Sequence, residues 1–138
     1  MKTIKQILLI IWQLPQTIVG VIYWLFLKAL ITDSTKREYA TIYKVENIHY
    51  SISLSPFIFC SVSGYGNDKT KDHEYGHIKQ SLILGPLYLI VIGLPSLIWA
   101  AVYQYNSQDP NGYFRFYTEK WADKLGNVTR KYNDVNRV

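Results

Sequence analysis

At 138 residues the chain has room for one modest core and one catalytic unit, not two. Hydrophobic residues make up 49% of it, with 12 Tyr and 4 Trp against only 18% charged residues, a balance suited to a lipid boundary where Tyr and Trp rings favour the headgroup level. The net charge of +5 is spread without an arginine-rich run, which argues against nucleic acid and for anionic lipid, and the single Cys60 excludes an intrachain disulfide or a cysteine metal cluster.

The first element, residues 4–31, is apolar with few interruptions and long enough to span a bilayer. It is too long for a signal peptide and lacks a clear small-x-small cleavage site, so it reads as a retained membrane segment. Leu14-Pro15 lies near its middle, where a bend would make the protein monotopic. Residues 39–63 alternate, as strands do: Thr41, Tyr43 and Val45 keep one register, and Ile52 and Leu54 interleave with serines. Glu46-Asn47 suits a hairpin turn, Pro56 interrupts the second strand, and residues 57–63 form a third strand or its continuation. A small antiparallel sheet follows from this pattern.

Residues 64–72 are rich in turn formers, with Asp72 placed to cap a helix starting at His73. That helix runs on into a second apolar segment, giving an element over residues 73–103 that contains Pro86 and Gly93-Leu94-Pro95. A turn precedes a last helix over residues 113–126, ended by Gly126. The fold class expected is an α+β membrane protein: membrane helices or re-entrant helical hairpins, a small antiparallel sheet and a zinc-binding helix, in one domain.

His73-Glu74-Tyr75-Gly76-His77 is an HExxH motif. On a helix the two histidines lie about one turn apart on one face, suitably spaced for one zinc ion, and Glu74 is placed beside it as the general base. Downstream, Glu119 and Asp123 form an ExxxD pair on one helix face, and Glu119 would complete a His2Glu site with a fourth position open for water.

Together these motifs resemble the membrane zinc peptidases of the gluzincin type that include the CAAX prenyl protease and the heat-shock-associated bacterial membrane protease. The resemblance covers residues 73–80 and 119–126. It implies zinc on His73, His77 and Glu119, catalysis by Glu74, and an orienting contact from Asp123 to a ligand histidine. It also implies a peptide or membrane-protein substrate and a bacterial inner-membrane location. Residues 73–99 further resemble a group of small bacterial membrane proteins with HExGH sequences, a likeness that implies no activity.

Four other residues suit transition-state contacts: His49 in the expected sheet, and Tyr75, Arg115 and Tyr117. The strand over residues 57–63, preceding the zinc helix, is placed to hold an extended peptide by strand addition. One conflict needs resolving. A straight helix over residues 82–103 would rise ~33 Å at ~1.5 Å per residue, placing Glu119 across the bilayer from His77, whereas a zinc ligand lies within ~2.2 Å of its metal. A helical hairpin broken at Gly93-Leu94-Pro95 removes the conflict, as would delivery of Glu119 by a second chain. The expected function is zinc-dependent peptide-bond hydrolysis at the membrane. Its rivals are a non-catalytic metal-binding membrane scaffold and a lipid hydrolase.

Overall fold

The computed structural model describes residues 2–133. The first apolar stretch forms two helices, α1 (Lys2–Trp12) and α2 (Leu14–Leu27), bent by 94° at Gln13. Pro15 starts α2, where its missing N–H leaves no intrahelical bond unmade.

After a 3₁₀ turn the chain lays down four strands: β1 (Ile31–Lys36), β2 (Thr41–Val45), β3 (Ile52–Leu54) and β4 (Phe57–Ser61). Their order is β1-β2-β4-β3. The sheet is mixed, which corrects the antiparallel expectation: β2 and β4 run parallel, with Ile42 opposite Ile58. Glu46-Asn47 does turn the chain, with Asn47 at φ 62°, but it opens into a connection to β3 instead of a hairpin. The β3–β4 hairpin turns at Ser55-Pro56.

Strand alternation gives the sheet two apolar faces. Ile42, Ile58 and Cys60 pack with Ile78, while Val45, Leu54 and Phe59 pack under Tyr23 and Trp24 of α2. A short helix, α3 (Val62–Tyr65), leads to α4 (Asp68–Leu84), which carries Ile78. The cap of α4 is Asn67, whose side-chain oxygen accepts from the Thr70 N–H at 3.2 Å. Asp72, expected to cap, sits one turn inside and pairs with Arg37.

The chain leaves α4 at Gly85, whose φ of 55° suits glycine and where a Cβ would lie 2.2 Å from the Trp12 indole. A 3₁₀ turn (Gly85–Leu87) and a π-helical turn (Leu89–Gly93) lead into α5 (Leu94–Val102). The break therefore falls at Gly85-Pro86. At Gly93-Leu94-Pro95 the helix continues, because Pro95 occupies the first turn of α5.

Each proline leaves the carbonyl four residues back without its usual donor. In both cases a side chain from another element donates instead: Trp12 Nε1 to the Leu82 carbonyl at 3.0 Å, and the Tyr117 hydroxyl to the Val91 carbonyl at 2.7 Å. A 3₁₀ turn (Gly112–Arg115) precedes α6 (Tyr117–Leu125), which packs along α4.

The α+β composition stands, but the membrane part of the expected fold class does not. No helix among the described residues is long and apolar enough to cross a bilayer. Polar Gln13 interrupts the first apolar stretch, and Gly85-Pro86 interrupts the second.

Candidate metal centre

The site depends on how closely α6 approaches α4. Gly76 meets Ala122 at their crossing, where a Cβ on Gly76 would lie 1.9 Å from the Ala122 carbonyl oxygen. With both helices in contact there, Glu119 and Asp123, four residues apart on α6, face His73 and His77, four residues apart on α4.

Glu119 Oε2 lies 2.9 Å from His73 Nε2 and 3.1 Å from His77 Nε2. The three ligand atoms are all within 4.8 Å of one another, and all three residues are buried. This group could hold a metal ion.

Its surroundings orient every ligand. His73 Nδ1 lies 2.7 Å from Asp123 Oδ1, and His77 Nδ1 lies 2.7 Å from Gln80 Oε1. Each Nδ1 faces an acceptor and so carries a proton, leaving each neutral imidazole with Nε2 as its ligating atom. The Gln80 amide is fixed in turn, since its Nε2 donates to the Thr118 carbonyl at 2.8 Å. Asp123 also accepts from Arg130 at 2.7 Å, and that guanidinium stacks on Phe114, whose ring meets His73 edge-on.

On Glu119, Oε1 accepts from Ser96 Oγ at 2.7 Å and Thr118 Oγ1 at 3.2 Å. One oxygen is thereby held, and the other is presented to the histidines.

Charge follows the same pattern. Burial alone would lower the His73 pKa, but hydrogen bonds to Asp123 and Glu119 outweigh it and push the imidazole up to about 9. Burial would raise the Glu119 carboxyl, but His73 and His77 hold it well below the usual carboxylate range. Asp123 is likewise lowered against its burial, by His73 and Arg130. In the metal-free chain a proton on His73 supplies the positive charge that two carboxylates demand. Two imidazoles and one carboxylate converging on one point, with that charge to be replaced, fit a divalent cation.

Glu74 is buried, and the Ser53 hydroxyl lies 2.6 Å from its Oε2 and 2.8 Å from its carbonyl oxygen, sharing one proton between the two acceptors. No ion pair to Glu74 occurs among the described residues, whereas the buried Glu119 and Asp123 are both paired. Tyr88 and Tyr113 border the same region. Burial, with the charges of Glu74 and Glu119 added, raises both phenols above their ordinary value and keeps them as neutral donors.

The structure thus brings together His73, Glu74, His77, Glu119 and Asp123, and all from one chain. It does not gather the other expected residues. His49 is exposed in the connection between β2 and β3, outside any strand. Tyr117 is 51% exposed, with its hydroxyl spent on the Val91 carbonyl. Arg115 pairs with Asp109 and stacks on Tyr132, and Tyr75 lies beneath Arg37 and Lys79. The strand expected to bind peptide, β4, is paired on both sides, so the free edge near the site belongs to β3, which carries Ser53.

Ser53, Gln80, Ser96, Thr118 and Arg130 escape sequence reading because no spacing rule joins them to the motifs. Gln80 and Ser96 do leave a trace. One follows His77 by three residues on the same face, and the other is a lone hydroxyl between Pro95 and Leu97. Comparison with family models, curated proteins and solved structures found no match. The likeness to membrane zinc peptidases therefore rests on the two motifs.

Proposed function

We propose that the chain is a zinc-dependent hydrolase of peptide bonds with Glu74 as its general base. The observation that carries this reading is a buried carboxylate with no cationic partner, held by Ser53 beside a convergent His73–His77–Glu119 group.

Two imidazole nitrogens and one carboxylate oxygen are a donor set that zinc favours, and three protein ligands leave a fourth position open, as catalytic sites require. When bound, zinc would supply Lewis-acid polarisation of a carbonyl and acidify water. The chain's own residues supply the rest. Glu74 takes the proton from the attacking water and passes it to the departing amine. Ser53 holds the carboxylate in place for both transfers. Tyr88 and Tyr113, kept protonated, are donors for the developing oxyanion.

The test is hydrolysis of a peptide library by the purified chain, alongside its metal content. Wild type should carry about one zinc per chain and cleave peptides until a chelator is added. Glu74→Gln should keep the zinc and lose about a thousandfold in rate, the share expected of a general base. Zinc retained with no cleavage by wild type would support a metal-binding scaffold, and cleavage of lipids alone would overturn the peptidase assignment.

A further inference from the structure

The helix α2 is apolar on its outward face as well as on the inward face that packs Tyr23, Trp24 and Leu27 against the sheet. Its inward face also carries Gln16 and Thr17, buried and hydrogen-bonded to Ser81 Oγ, the Gly85 carbonyl and the Ser55 carbonyl. Its outward face carries Ile18, Ile22 and Phe26, the last 80% exposed. A helix surrounded by water turns polar side chains outward there.

The exposed apolar surface extends beyond α2. Of the large exposed hydrophobic side chains, thirteen lie between Ile4 and Phe26 and nine between Ile83 and Tyr105, against three elsewhere among the described residues. The two stretches meet where Trp12 bonds the Leu82 carbonyl and Gln16 the Gly85 carbonyl, and exposed apolar side chains gathered in adjoining segments mark an interaction surface.

Charge identifies the occupant. No Asp or Glu precedes Asp33, whereas Lys2, Lys5 and Lys28 flank the apolar helices, and no charged residue lies between Lys79 and Asp109. A hydrocarbon interior with anionic headgroups above it matches both features.

We propose that α1, α2 and α5 dock together on the surface of an anionic lipid bilayer. At 11 and 14 residues, and 14 for α5 together with its π-helical turn (Leu89–Val102), these helices reach ~16, ~21 and ~21 Å, short of the ~30 Å hydrocarbon core, so the contact is with one leaflet. Because α5 exposes Leu94 and Leu97 while its Ser96 holds Glu119, the metal ligands lie one helix away from the lipid.

The test is flotation of the purified full-length chain with vesicles of phosphatidylcholine, alone or mixed with phosphatidylglycerol. The chain should float with both, more completely with the anionic ones, and added salt should remove that difference. The double variant Ile22→Glu, Leu97→Glu should bind at least about tenfold more weakly with an unchanged circular dichroism spectrum. If that variant does not fold, quenching of the wild-type tryptophans by bromine-bearing lipids decides, with quenching expected. A chain that stays in the aqueous fraction without quenching overturns the proposal, as does a variant that floats like wild type. A discrete dimer that ignores vesicles would assign the face to a second copy and equally overturn it. Flotation reads no hydrolysis, so this result stands apart from the peptidase reading.

Discussion

Ser53 is the residue on which the proposed base most directly depends, because its hydroxyl is the hydrogen-bond donor to the Glu74 carboxylate among the described residues. A hydrogen bond to a charged group contributes about 1.5–3 kcal/mol. Ser53→Ala should therefore lower kcat by about 10- to 100-fold while zinc per chain stays unchanged, and a loss of zinc would show the residue to be structural instead. Cys60, fully buried under α4, offers a separate check on the packing. Burial above all, with the charge of Glu74 added, pushes its thiol from 9.0 up to about 11. Raised in the folded chain, the thiol supports folding fully below pH 9 and loses that contribution as pH climbs toward 11. Melting curves across this window should show the decline in wild type and a smaller one in Cys60→Ala. Below pH 9, native Cys60 should react with thiol reagents at least about a hundredfold more slowly than in the denatured chain.

The decisive contact between elements is that of α4 with α6. Gly76→Ala would set a methyl group 1.9 Å from the Ala122 carbonyl, so the helices must part and carry Glu119 away from the histidines. The expected result is loss of zinc binding and about 2–4 kcal/mol of stability, read by metal content and thermal melting. How much of this was legible differed by element. His73, His77, Glu119 and Asp123 could be read because helical periodicity places each pair on one face of its own helix and the resemblance to the zinc peptidases joins the two pairs. The sheet was less so: β1 begins where the apolar run ends, β3 has only three residues, and parallel pairing of β2 with β4 depends on a connection that no local pattern reports. The helix break was misplaced because Pro95 is tolerated in a first turn, whereas Gly85 must adopt a positive φ.

At the scale of the molecule, a metal on His73, His77 and Glu119 would join α4 to α6 and, through Ser96, to α5. Ligand binding to the folded chain alone adds about 2.7 kcal/mol at a hundredfold excess over Kd, so a chelator should lower the melting temperature of wild type and leave that of His77→Ala unmoved. The apolar count suggested one long membrane segment because it does not register the bend at Gln13, which divides the stretch into two short helices. The two prolines of the second stretch add a last consequence. Replacing a helix proline with alanine is ordinarily a repair, restoring the missing donor. Here Pro95→Ala would put a backbone N–H in competition with Tyr117 for the Val91 carbonyl, so the mended helix would release its neighbour, whereas at Pro86 the positive φ of Gly85 keeps the helix broken and Trp12 in place. The defects serve as fastenings, and at Pro95 regularity would loosen the molecule.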